Sequence, residues 1–262
     1  MSGHSKWSTI KRAKGVADIK RGQTFTKVAN AITIAAKMGG SGDPNSNPRL
    51  RMVMEDAKSV NMSKDNVQRA IDRGLGKLPG QSLEEVIFEG FGPSKVAFLV
   101  EGVTDNKLRT LQEVKNLFER SGGSLVGSGA VSYMFDRKGE IKVKSQKSQM
   151  SPEDEELELI DLGAEDIESF EEEEPHFAEA SRGKVRKYLV YVDGAELNNM
   201  SNKLTQVGYG VEQAEIVLKP NTFVEIKDKE SSQKVLDFVQ KLEELDDIQK
   251  VYANFDISDE LL

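Results

Sequence analysis

The side chains best suited to chemistry lie in the opening stretch, Gly3-His4-Ser5-Lys6-Trp7-Ser8-Thr9-Ile10-Lys11-Arg12-Ala13-Lys14. Lys6, Lys11, Arg12 and Lys14 are followed by Lys20, Arg21 and Lys27, and Asp18 is the only acid before Asp43. Cationic side chains neutralise phosphates and release their counterions, and an aromatic ring among them can stack on a base. Trp7 is the one tryptophan of the chain. On a helix Trp7, Lys11 and Lys14 share a face, because residues three and four apart are neighbours. A solvated charged face anchored by Trp7 is the plainer alternative.

Charge is distributed so as to favour a polyanion partner. Residues 1–80 hold 15 Lys and Arg against 6 Asp and Glu, yet the whole 262-residue chain has a net charge of −8. A basic head on an acidic body points to nucleic acid at the head. Lys64, Arg69 and Arg73 extend the candidate binding set, and Arg49, Arg51 and Lys58 add to the same positive surface. Asn61, Asn66, Gln68, Arg69 and Arg73 could read base edges if two helices over 47–73 formed a helix-turn-helix.

Catalytic and metal chemistry find few residues. The two histidines are His4 and His176, and there is no cysteine. That leaves no disulfide, no thiolate and no histidine-cysteine zinc set. Gly74-Leu75-Gly76-Lys77-Leu78-Pro79-Gly80 has the wrong spacing for a dinucleotide loop and suits a linker. The carboxylates of 153–174 follow one another along helix and hairpin and read as a solvated face. The glycine-rich 121–129 is either a helix stop with a loop or a loop whose amides meet a phosphate. These residues point to no enzyme, no cofactor and no metal. No apolar run approaches the ~20 residues of a membrane span, and the start lacks a signal peptide's apolar core. The expected compartment is the cytoplasm, with no membrane partner.

Periodicity supplies the elements that position these groups. Apolar residues at helical spacing predict helices over 24–37, after Pro48, and from Lys64 to the stop at Gly74-Leu75-Gly76, with Ser63 as N-cap. Beyond Ser82, strands are expected at 96–100 and 130–135 around a helix at 106–121, with Leu108, Leu111, Val114, Leu117 and Phe118 facing inward. Residues 222–226, 231–245 and 248–255 give strand, helix and strand. Between them, 140–219 gives another βαββαβ pattern, with the acids from Glu171 to Glu174 at a hairpin tip. The expected fold is α+β with three domains. A basic helical domain (1–80) precedes a discontinuous ferredoxin-like domain (81–139 plus 220–262), and an acidic ferredoxin-like domain (140–219) is inserted into it.

Several motifs resemble one family. They are Gly-His-Ser-Lys-Trp at 3–7; Gly39-Gly40 before Asp43-Pro44, Asn47 and Leu50-Arg51; and Ala57-Lys58 with Asn61-Met62 before Lys64-Asp65-Asn66. Arg69-Ala70-Ile71, Glu89-Gly90-Phe91-Gly92-Pro93, Gly122-Gly123, Val251-Tyr252 and Asn254 continue the set. Together they resemble the YebC family, which includes the mitochondrial translational activator of cytochrome c oxidase subunit one. The resemblance implies a helical N-terminal domain, two α/β domains and no enzymatic activity. Bacterial members are described as probable transcriptional regulators that bind DNA, others as ribosome-associated factors that help translation through proline-rich stretches. Two positions depart from the pattern. Ser63 stands where proline is expected, and Ser94-Lys95 where many members have glycines.

The expected function is therefore a nucleic-acid-binding regulator of gene expression. Its first expected partner is rRNA on the ribosome, bound through the basic head, and the alternative is DNA, bound by a transcriptional regulator. The acidic inserted domain could meet a protein partner.

Overall fold

The computed structural model describes residues 21–79, 82–147, 150–173 and 184–258. The molecule is α+β, with helices first and antiparallel sheets after. Two compact units separate: 135–221 forms one, and the described residues on either side of it belong to the other.

The second unit opens with three helices, α1 (Arg21–Gly39), α2 (Pro48–Ser59) and α3 (Lys64–Gly74). None can bury much surface alone. Together they enclose Ile32, Ala35, Ala36, Leu50, Ala57, Ala70 and Ile71. Asn47 joins them: its Oδ1 accepts from Leu50 N–H at 3.1 Å, which caps α2. Its Nδ2 donates to the carbonyls of Ala35 (2.9 Å) and Ser41 (3.0 Å), satisfying the end of α1. Between α2 and α3, Asn61 adopts φ +56°, and Met62 N–H reaches Ala57 O at 2.9 Å. This is a left-handed helix end, a position asparagine tolerates better than most side chains.

The same unit continues with β1 (Glu84–Phe91), β2 (Ala97–Thr104), α4 (Lys107–Arg120) and β3 (Ser124–Val126). The inserted unit then supplies β4 (Phe135–Lys144), α5 (Pro152–Asp161), β5 (Asp166–Glu173), β6 (Lys184–Asp193), α6 (Leu197–Gln206) and β7 (Gly210–Pro220). The outer unit closes with β8 (Val224–Ile226), α7 (Lys229–Glu243), β9 (Ile248–Ala253) and β10 (Phe255–Ile257).

The inserted sheet has the order β5-β6-β4-β7, all antiparallel, which is the ferredoxin-like arrangement. The outer sheet has the order β3-β1-β2-β9, also antiparallel. Its spatial plan is the same, but the strand between β3 and β2 is β1, drawn from before the βαβ unit. Three expectations are corrected here. Residues 84–91 form a strand that the apolar pattern does not predict, because their acids and glycine interrupt it. Residues 130–134 form turns, so the expected strand at 130–135 is absent and β3 takes its place. Val224–Ile226 pairs in parallel with β10 instead of entering the main sheet.

Helix α4 is also rotated from expectation. Thr110, Val114 and Phe118 face inward, while Leu108 is 77% and Leu111 37% exposed. Thr110 is inward for a polar reason: its hydroxyl donates to Asp247 at 2.6 Å, beside Thr104 and Arg109 at 3.0 and 2.8 Å. Burial pushes the Asp247 carboxyl up, and these donors outweigh it, so the group sits below the usual carboxylate range. The apolar centre is a triad of edge-to-face rings, Phe98, Phe118 and Phe238, with centroids 4.9–6.1 Å apart.

Candidate nucleic-acid interface

Of the expected binding residues, Lys6, Trp7, Lys11, Arg12, Lys14 and Lys20 lie outside the described residues, as does the side chain of Arg21, which opens α1. Both histidines lie outside them as well. The remaining four divide into two kinds. Lys27 is partly buried, and its Nζ donates to Glu243 O at 2.7 Å, at the C-terminal end of α7. A cation there satisfies a free carbonyl and faces the negative end of the helix dipole. Gln23 Nε2 reaches Glu244 O nearby, at 3.3 Å. Lys27 is therefore a strut between α1 and α7.

Lys64, Arg69 and Arg73 are exposed on α3, and Lys58 is exposed at the end of α2. None of the four has an ion-pair partner among the described residues. Val67, Ala70 and Ile71 turn toward the core, which sends Asn66, Arg69 and Arg73 to the opposite side. At i, i+3 and i+7 these three form one stripe. The helix starts at a Ser63 cap, whose hydroxyl accepts from Asn66 N–H at 3.3 Å, so serine serves where proline was expected. Asp72 on the flank of the stripe is occupied by Gln68 (3.1 Å) and Lys77 (3.2 Å).

Two cations of the expected positive surface are engaged inside the unit. Arg49 pairs with Glu85 at the start of the outer sheet. Arg51 holds the loop before α2 through Pro44 O and Asn45 O, each at 3.0 Å. Lys37 is tied to Ser82 Oγ and Leu83 O, both at 2.7 Å. Sequence could not separate free cations from engaged ones, because every such partner lies far along the chain or on a backbone carbonyl.

The last glycine of the 121–129 loop and the turn that follows it form an anion site, and the chain fills it. The carboxylate of Glu89 accepts from the backbone N–H groups of Gly129 (2.8 Å), Val131 (2.7 Å) and Ser132 (3.0 Å). Burial pushes this carboxyl up, but the three donors prevail and hold it below its ordinary value. With Glu89 in place, those amides are unavailable to a phosphate. Nearby, Ser94 and Lys95 adopt φ +57° and +61°, the backbone region glycine enters without strain.

The inserted domain presents the opposite chemistry. Lys142 and Lys187 lie between Glu172 and Glu212, at 2.7–3.2 Å. Lys219 meets Asp166 at 2.5 Å and covers the Tyr191 ring, Lys138 meets Glu165 at 2.6 Å, and Arg186 meets Glu155 at 3.3 Å. Most cations here are thus spent on the domain's own acids. The acids are not one solvated face, since Glu155 and Glu168 are buried. Glu171 and Glu172 belong to strand β5, paired with Arg186 and Val185, and are not part of a hairpin tip. Among the described residues no group of His, Asp and Glu could hold a metal ion, and no helix is long and apolar enough to cross a membrane.

Comparison with known proteins agrees with this architecture. Residues 5–77 match the TACO1/YebC protein N-terminal domain, and residues 83–255 match the TACO1/YebC second and third domain. A probable transcriptional regulatory protein of Chloroflexus aurantiacus is 44% identical, covering 100% of this chain and 98% of its own. One from Geobacter sulfurreducens is 45% identical, covering 99% and 98%. A crystal structure of a conserved hypothetical protein from Aquifex aeolicus superposes with a TM-score of 0.80 at 40% identity, covering 98% of this chain and 99% of that one. From its helical domain through both antiparallel sheets, the chain belongs to the TACO1/YebC family.

Proposed function

We propose that this chain is a non-enzymatic nucleic-acid-binding regulator of gene expression, acting in the cytoplasm on structured RNA of the ribosome. The observation that carries this is the division of its cations. Lys58, Lys64, Arg69 and Arg73 stand exposed without acidic partners among the described residues, whereas the inserted domain's lysines are largely neutralised internally. Uncompensated cations are what a phosphate backbone requires. Lys6, Lys11, Arg12, Lys14, Lys20 and Arg21 would extend the footprint, with Trp7 stacking beside them. Structured RNA is recognised largely by shape and backbone, which suits a basic head without an evident base-reading code. The names of the relatives support the broader statement, that of a regulator.

A second possibility, a DNA-binding transcriptional regulator, is favoured by one feature. Helices α2 and α3 join across a short turn, and Asn66, Arg69 and Arg73 line the exposed face of α3, as a recognition helix would need.

Sedimentation with purified ribosomes separates the two. Retention that survives excess duplex DNA and is lost in Lys11→Glu/Arg12→Glu/Lys14→Glu supports the ribosomal target. Failure of ribosomes to retain the protein, with sequence-selective DNA binding, refutes it in favour of the transcriptional one.

A further inference from the structure

Helix α5 of the inserted domain turns two of its apolar side chains outward. Leu157 is 60% and Ile160 55% exposed, while Glu155 is fully buried beside Leu159. Glu153, Asp154 and Asp161 are exposed around the apolar pair, and Glu156 is half-buried. At helical spacing Glu153, Leu157, Ile160 and Asp161 share the outward face, with Asp154 and Glu156 on its flanks. The helix contains no Lys or Arg. Lys203 of α6, beside the end of α5, is already engaged with Leu162 O at 3.1 Å.

An ordinary surface helix buries its apolar stripe and mixes both charge signs outside. This one exposes two branched aliphatic side chains inside an acidic frame. It also keeps a carboxylate in the core, held by Ser145 Oγ at 2.7 Å and by Arg186. Such departures from local rules concentrate where a chain meets something else. An apolar centre with a charged rim is the anatomy of a protein interface. The sign of the rim selects the partner, since the four carboxylates of Glu153, Asp154, Glu156 and Asp161 repel phosphate backbones and anionic lipid alike.

We infer that the outward face of α5 docks on a basic protein surface with an apolar centre. Resting on the ribosomal function proposed above, that surface belongs to a lysine- and arginine-rich ribosomal protein. The basic head and the acidic insert then engage different chemistries, RNA at one and protein at the other.

Photo-crosslinking of the full chain on purified ribosomes tests this, with a benzophenone residue at Leu157 in one sample and at Asp65 on α3 in another. The expected result is a ribosomal protein labelled from position 157 and rRNA labelled from position 65. Label from 65 alone, or rRNA labelled from 157, overturns the α5 surface and leaves the ribosomal function standing. No label from either position overturns both. A companion variant, Leu157→Ser/Ile160→Ser, alters only exposed side chains and keeps the acids. It should lose roughly tenfold in ribosome retention, the scale of two lost apolar contacts, with an unchanged melting temperature. Undiminished retention overturns the inference.

Discussion

The carboxamide of Asn47 occupies the space that a side chain on Gly39 would need. One asparagine thus fixes the loop length between α1 and α2, caps the second helix and closes the first. Asn47→Ala should destabilise the protein by about 2–4 kcal/mol, from a lost cap and buried carbonyls left unpaired. Asn47→Asp should be no milder, since it keeps the acceptor for Leu50 but faces two carbonyls with a carboxylate. Gly39→Ala should cost about 1–3 kcal/mol through the collision. Urea unfolding monitored by circular dichroism reads all three.

The left-handed residues after Pro93 give a prediction of the opposite sign. Ser94 and Lys95 each hold a conformation costing about 1–2 kcal/mol for a side chain other than glycine, asparagine or aspartate. Glycine relieves this while adding entropy to the unfolded chain. Ser94→Gly and Lys95→Gly should each stabilise by about 0.5–1 kcal/mol, raising the urea midpoint. That relief is the physical sense of the glycines expected at these positions.

Acid should act through Glu89 and Asp247. Both carboxyls lie below their unfolded values in the folded protein. Their contribution is therefore complete above the unfolded values of about 4 and is lost as pH falls through the lower, folded ones. Stability should decline below about pH 4, and Glu89→Gln should flatten that decline. Hydrogen exchange in the same variant should quicken among the amides of Gly129, Val131 and Ser132, because the carboxamide keeps one acceptor oxygen where the carboxylate offered two.

Salt dependence should distinguish free cations from engaged ones. Arg69→Ala and Arg73→Ala should each reduce the slope of log affinity against log salt by about one. Arg49→Ala and Lys27→Ala should leave the slope unchanged and lower the melting temperature instead. A filter-binding series over salt with structured RNA measures the slope, and a thermal melt supplies the control.

Much of the fold was legible in local pattern. The periods of α1 to α3, the Ser63 cap, and the βαββαβ run of the insert all come from neighbours in sequence. What escaped depends on distant partners. Strand β1 reads poorly because Glu85, Glu89 and Gly90 break its apolar run. Glu89 is there to meet a loop forty residues on, and Gly90 makes room for the Phe118 ring. The inward turn of Thr110 depends on Asp247. Among the candidate binding residues, composition marks a cation but not its engagement. Lys27 and Arg69 look alike until the end of α7 is placed beside the first.

The insert begins and ends on neighbouring strands, for Phe135 stands opposite Pro220 in register. Paired strands lie about 5 Å apart. To the host chain the entire second sheet is topologically a hairpin loop whose two stems are already clasped. Its length is free to vary without stretching Met134 away from Asn221. A module attached in this way can be enlarged or recharged while the host keeps its connectivity, which is how one framework can carry both a basic head and an acidic passenger.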